Sequence, residues 1–335
     1  MDTLSDTIQN SFPKKRIVIV GDLVADQFLH GTIARVSREA PVFILRHDET
    51  DTLAGAAANA AVNIASLGAE PVLIGLTGND QNGELLLASL TKLRVNCDFI
   101  VSDPTRKTTT KVRVLAGQHY AARQQVIRID YENSAEIGVD VRQQLLSNFE
   151  TAAEKADAII ISDYNYGVAD NYVYDLARRI ADQRSIPLLI DSRFRLADFP
   201  NATTATPNQD EVEQIIGKDF TVEQCSALRE KLGYESLLVT CGNQGMLLVQ
   251  KNTEARRLSA IGSVEPVDVT GAGDTVIAVY ALGLASGLSF INAAEIANHA
   301  GGIVVMKKGT ASVSPAELVE SIEANAKLDT LRSSA

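Results

Sequence analysis

Short runs of Val, Ile and Leu alternate along the chain with longer segments of helical period. The runs are RIVIV from Arg16, VLIGL from Val72, AIII from Ala158, LLI after Pro187 and SLLVT from Ser236. The helical segments are 54–67, 82–93, 172–180 and 225–232. Each run is apolar at nearly every position, the pattern of strands covered by helices on both faces. The rhythm predicts an α/β fold with a mostly parallel central sheet flanked by helices. Two stretches, 28–48 and 108–130, instead alternate apolar and polar residues. They predict a second, smaller sheet, a flap over the edge of the main sheet where α/β proteins bind ligands.

At 335 residues the chain favours one large domain with an appendage over two equal domains. The expected domain spans 14–328, with residues 1–13 and 329–335 as flexible termini. A net charge of −11, with no basic run longer than Lys14-Lys15-Arg16, argues against nucleic acid and anionic membranes as partners and favours a small molecule. The start, MDTLSDTIQNSFPKK, has no apolar signal core, and no stretch reaches the ~20 apolar residues of a membrane span. Cys97, Cys225 and Cys241 are odd in number and widely spaced, which reads as reduced thiols. The expected location is the cytoplasm.

Several polar clusters interrupt this frame. Residues 268–278, DVTGAGDTVIA, place Asp274 directly after a Gly-Ala-Gly turn and before an apolar helix. Such a turn suits an anion. It is neither a dinucleotide fingerprint, because Val276 stands where the third Gly belongs, nor a Walker A loop, because no Lys follows. Asp274 is therefore a helix cap or a chemical participant, and the stretch alone leaves both open. Asp22 and Asp26 follow the first strand, and Gly55 and Asn59 lie in AGAAANAAVNIASLG, groups suited to a hydroxyl-rich ligand. TPNQDE carries Asn208 and Glu211, which also spell a capping box, and TCGNQG carries Thr240, Gly242 and Gly245, which would equally turn a hairpin.

Taken together, these stretches resemble the ribokinase, or PfkB-type, carbohydrate kinases from about Arg16 to about Leu318. The resemblance implies a ribokinase-like fold with a small β-sheet lid. It puts Asp274 at the catalytic base, and Gly271, Ala272 and Gly273 at an anion hole. Asp22, Asp26, Gly55 and Asn59 fall at sugar-binding positions. Asn208, Thr240, Gly242, Gly245 and Asn298 fall at nucleotide-binding positions, and Glu211 at magnesium, through water. ATP is the implied co-substrate, with Mg2+ and a monovalent cation as further implications, and the exposed edges of the flap sheet suggest a homodimer through the lid. VGDLVAD, SREAPV, RQQVIRIDYE, ISDYNYG and GTASVSPAEL resemble the kinase half of the ADP-heptose biosynthesis enzymes, which phosphorylate the anomeric hydroxyl of a heptose 7-phosphate. No H-x-G-H occurs, so the expectation is a kinase without the nucleotidyltransferase activity. Tyr166 stands where that subfamily carries Lys, and Ala54 where it carries the first of two glycines. Arg35, Arg38, Lys111 and Arg113, on the expected flap, are candidates for a phosphate on the sugar, although solvation is their default. The competing functions are a kinase of another sugar or sugar phosphate, a catalytically silent ribokinase-like binding protein and, least supported, a nicotinamide-dependent oxidoreductase.

Overall fold

The computed structural model describes residues 3–117, 123–133, 136–262 and 265–333. Nine strands form the main sheet in the order β13-β12-β11-β10-β9-β8-β1-β4-β5. In chain order they are β1 (Arg16–Gly21), β4 (Glu70–Gly78), β5 (Ile100–Asp103), β8 (Ala158–Asp163), β9 (Leu188–Ser192), β10 (Thr204–Ala205), β11 (Ser236–Thr240), β12 (Met246–Gln250) and β13 (Thr253–Leu258). All pairings from β5 to β11 are parallel, and β12 and β13 add an antiparallel edge.

Period-two alternation sorts the strand residues between two cores. Ile17 and Ile19 of β1 face a layer that includes α2 (Ala57–Ser66), α3 (Gln81–Lys92), α8 (Ala272–Ala285), α9 (Phe290–Val304) and α10 (Pro315–Ser333). Val18 and Val20 face α4 (Val139–Ala153), α5 (Asn171–Arg184), α6 (Gln209–Ile216) and α7 (Val222–Leu232). The continuous apolar runs in the sequence are thus explained by burial on both faces.

The second sheet has the order β3-β2-β6-β7. Its strands are β2 (Leu23–Val36), β3 (Phe43–Ala56), β6 (Thr110–Gly117) and β7 (Gln124–Tyr131); β2 and β3 run beyond the 28–48 stretch, β6 and β7 nearly match 108–130, and residues 118–122 lie outside the described residues. β2 leaves β1 after a single residue, and β3 runs without a loop into α2, so the helix starts at Ala57 rather than Ala54. Both ends of this lid are therefore tied to the edge of the main sheet where β1 ends.

The N-terminus differs from expectation. The helical turns α1 (Leu4–Asp6), Thr7–Ser11 and Phe12–Lys14 bury Ile8 and Phe12 completely in the core that also holds Leu67 and Leu318. Residues four apart share one face of a helix, which is why these two act together. At the other end α10 continues as helix to Ser333, past the point expected to loosen. Phe12→Ala should cost ~3–5 kcal/mol of unfolding free energy. A urea melt that shifts by less than ~1 kcal/mol would show that the segment contributes little to the core.

Candidate active site

The site lies at the C-terminal ends of β1, β8, β9 and β11, under the lid and beside the start of α8. That helix is apolar on every side and its only charged residue is Asp274, in the first turn and 3% exposed. Gly271 precedes it in the left-handed conformation, φ 77°, and a Cβ there would fall 2.4 Å from Asn59 Nδ2. Glycine is required on both counts. The Asn59 amide donates to Asp274 Oδ2 at 2.8 Å and to the Gly271 carbonyl at 3.3 Å, while the Tyr164 hydroxyl donates to Asp274 Oδ1 at 2.9 Å. Burial raises the Asp274 carboxyl to about 7; the two donors pull it down and the charge of Asp26 adds to the rise.

The Gly-Ala-Gly turn departs from expectation at one position. The Ala272 N–H closes a turn onto the Val269 carbonyl at 3.2 Å, so it is not available to an anion. The N–H groups of Gly271 and Gly273 have no acceptor among the described residues, as a helix start leaves them. A Cβ on Gly273 would meet nothing within 4 Å, so the turn opens onto free space.

Three residues expected at the sugar are committed to protein partners. Asp22, almost fully buried, accepts from the backbone N–H groups of Tyr164 (2.9 Å), Tyr166 (3.0 Å) and Val168 (3.1 Å). It anchors a turn and does not face the pocket with free oxygens. Burial raises it to about 6 despite those donors. Asn59 holds Asp274 and takes a bond from Asn63 on its own oxygen at 3.3 Å. Asp26 is paired with Arg113, and Gly55 is glycine because a Cβ there would lie 2.5 Å from Asp26 Oδ2. Burial leads in raising Asp26 while Arg113 opposes it.

Two cavities are lined by residues next to Asp274, one by its partner Tyr164 and the other by Ala272 and Gly273 of its own turn. One, about 550 Å³, is polar and is lined by Lys111, Arg128, Glu132, Tyr164, Tyr166 and Arg193, among others. Lys111 Nζ lies 3.2 Å from Asp130 and 2.8 Å from the Tyr166 hydroxyl, which itself donates to Glu132 at 2.7 Å. Arg128 pairs with Asp130, which holds that carboxyl down at about 2. Of the four cations expected to meet a phosphate, only Lys111 lines this space. Arg113 is occupied by Asp26, and Arg35 and Arg38 are exposed beyond the far part of the lid. Arg128 and Arg193 are the other cations that line the cavity. Neither was visible in the sequence, because nothing local distinguishes them from surface cations.

The other cavity, about 200 Å³, is mostly apolar and runs along Thr240, Gly242, Gly245, Ala272, Gly273 and Asn298. Gly242, at φ 55°, has open space where a Cβ would project. Gly245 serves the fold, since a Cβ would fall 1.9 Å from the Leu258 carbonyl. Asn298 donates to the Ser259 carbonyl at 2.8 Å. Asn208 bridges to Thr240 and forms a full capping box with Glu211, whose Oε2 accepts the Asn208 N–H at 2.9 Å.

Asp191, at the end of β9, escaped the sequence reading. Burial raises its carboxyl well above the usual range, and repulsion from Asp274 and Glu211 adds to this. Glu211 is also raised, first by burial. Two half-buried carboxylates near one another form a hard oxygen set, and that donor chemistry fits magnesium.

A family model described as pfkB family carbohydrate kinase matches residues 14–317. Bifunctional protein HldE of Vibrio cholerae is 38% identical over 325 residues, 95% of this chain and 66% of the relative. Bifunctional protein HldE of Pasteurella multocida is 39% identical over 316 residues, 93% of this chain and 64% of the relative. The chain thus spans about two thirds of the length of these curated relatives. Among solved structures, ribokinase of Arabidopsis thaliana complexed with ribose and ATP superposes with TM-score 0.68 at 20% identity, covering 92% of this chain and 98% of that one. Phosphofructokinase-2 of Escherichia coli in complex with potassium gives 0.72 at 18%, covering 91% and 97%. Among the described residues no helix is long and apolar enough to cross a membrane. With a family model over nearly the whole chain and a lid-bearing α/β sheet to match, the protein belongs to the pfkB family of carbohydrate kinases, phosphotransferases that act on a sugar hydroxyl.

Proposed function

We propose that this kinase transfers the γ-phosphoryl group of ATP to the anomeric hydroxyl of a heptose 7-phosphate. One observation carries the reading: Asp274, buried and raised to about 7, directly follows Ala272 and Gly273, which line the apolar cleft, and takes a hydrogen bond from Tyr164, which lines the polar cavity. The identity of the sugar rests on motif resemblance and on relatives named Bifunctional protein HldE.

In this reading Asp274 takes the proton of the attacking hydroxyl, a task for which a pKa near neutrality is suited. Asn59 and Tyr164 fix the carboxylate, and Asp26 with Arg113 closes the lid side of the sugar pocket. The Gly271 and Gly273 N–H groups, with the helix start behind them, favour the negative charge that develops on the transferred group. Thr240, Gly242 and Asn298 line the space for ATP, and Asn208 joins their strand to the helix bearing Glu211. Magnesium, held through water by Glu211 with Asp191 nearby, supplies when bound the positive charge that screens the triphosphate. Lys111, Arg128 and Arg193 surround the place for the sugar's own phosphate. Tyr166, where the subfamily carries Lys, supports a second reading, a kinase of another sugar phosphate. The lid's outer strand β7 is exposed throughout and exposes Val126, Ile127 and Ile129, which supports a homodimer through the lid.

ATP-dependent phosphorylation of heptose 7-phosphate should exceed that of fructose phosphates, ribose and adenosine, with product analysis placing the new phosphate at the anomeric carbon. A higher kcat/KM for any other member of that panel would reassign the substrate, and replacing potassium by a large organic cation in the same assay tests the monovalent ion.

Asp274→Asn should lower kcat by about 10² or more with the fold retained. The same variant has a stability signature. Burial raises the carboxyl from 3.8 to about 7, so the folded chain binds this proton more tightly than the unfolded one. Stability from this group is therefore lost as pH rises between those values. Asp274→Asn should gain in Tm relative to wild type on going from pH 5 to pH 8. A plain helix cap gives the opposite, a loss at pH 8 with activity kept.

A further inference from the structure

We propose that Tyr164 is a positioning residue for the base: its hydroxyl, placed by Asp22's grip on the 164–168 turn, fixes the orientation of the Asp274 carboxylate. The inference rests on Asp274 acting as the base and adds a residue that the sequence motifs did not single out.

Three features of the geometry support it. First, the turn after β8 is held from its inner side. Asp22 accepts three backbone N–H groups from it, and the Asn165 N–H donates to Asp163 at 3.1 Å. Asn165 adopts φ 64°, so the chain reverses sharply just after Tyr164. Second, Asp163 is itself immobilised, by the Ser192 hydroxyl at 2.7 Å and by Arg195. Tyr164 therefore follows a residue whose carboxylate is tied down, and its own N–H is held by Asp22. Third, its hydroxyl takes one oxygen of Asp274 while the Asn59 amide takes the other. With one donor on each oxygen the carboxylate cannot rotate without losing a bond, and each oxygen keeps a lone pair for a sugar hydroxyl.

Asp22 gains a role in this arrangement. Burying a carboxylate costs free energy that hydrogen bonds must offset, and for Asp22 the donors are three backbone N–H groups of one loop. The loop presents Tyr164 to Asp274 on the wall of the polar cavity. The charged groups around Asp274 are Asp26, with Arg113 paired to it, on the lid side, and Asp191 on the β9 side, followed by Arg193. Asp274 opposes ionisation of Asp191, while Asp26 opposes ionisation of Asp274. The Tyr164 hydroxyl favours it, so the residue affects the protonation of the base as well as its direction.

Tyr164→Phe keeps the ring and the backbone N–H that Asp22 holds, and removes only the hydroxyl. In the full-length enzyme with ATP and Mg2+, it should lower kcat roughly tenfold or more and move the acid limb of kcat/KM upward by about one pH unit. KM for ATP should not change. A ring-fluorinated tyrosine at 164, whose hydroxyl is a stronger donor, should move the limb downward. A loss of fold stability alone would shift Tm and leave the limb in place. An unmoved limb in both variants, with Asp274→Asn still inactive, overturns the role of Tyr164 and leaves the kinase reading intact. Full activity of Asp274→Asn overturns the kinase base assignment itself.

Discussion

An unpaired carboxylate in an apolar helix should be neutral or absent, and the active site is organised around keeping one there. α8 packs apolar residues on every face, so its first turn offers Asp274 little water. Desolvation dominates its titration, and the opposing contributions are two neutral hydrogen-bond donors rather than a cation. An adjacent arginine would have held the carboxyl far below neutrality and made it a poor base. Two neutral donors bring it to about 7, where it is partly ionised and still able to take a proton.

Each donor depends on a further constraint. Asn59 reaches Asp274 because α2 begins directly after β3, with no loop to absorb error, and because Gly271 has no side chain in the amide's path. Tyr164 reaches it because the turn after β8 is fastened to Asp22, at the end of the neighbouring strand β1. The parallel sheet makes these approaches possible. Its strands β1, β8, β9 and β11 all end at the same edge, bringing residues 22, 164, 191 and 240 together although more than two hundred positions separate the first from the last. The lid completes the enclosure by carrying Asp26, Lys111 and Arg113 down from strands β2 and β6, which pair in parallel.

What the sequence made legible were features with a local cause. The apolar runs are legible because burial on both faces leaves no polar position in a strand, and the capping box of Asn208 and Glu211 because its chemistry spans only four residues. Asp274 and its glycine turn stand out because a charge next to a helix start and two glycines is locally odd. Partnerships across the fold left no such trace. Nothing near Asp22 indicates that its oxygens are filled by backbone groups some 140 residues away, and nothing near Arg35 or Arg38 indicates that the strand carries them away from the pocket. Ala272 looks identical to its neighbours in an anion-binding turn, yet the turn itself uses its N–H. Ile8 and Phe12 did carry a signal, their spacing of four, hidden in an otherwise polar terminus.

Tyr166 sets the charge balance of the polar cavity rather than simply making one contact. Its hydroxyl accepts from Lys111 and donates to Glu132, so one neutral group bridges a cation and an anion. A lysine in its place would set a second ammonium beside Lys111, at a cost that a bound anion would have to offset. With tyrosine there, Lys111 keeps Asp130 and Glu132, and Arg128 keeps Asp130, before any ligand arrives. Arg193 is different: its guanidinium lies 5.5 Å from the Phe194 ring, and no carboxylate among the described residues pairs with it. An anionic sugar entering this cavity would have to displace salt-bridged carboxylates from Lys111 and Arg128, whereas Arg193 acts on Asp191 and Glu211 only through the field of its charge. Arg193, just past the end of β9, lines the same cavity as Tyr166 and Lys111.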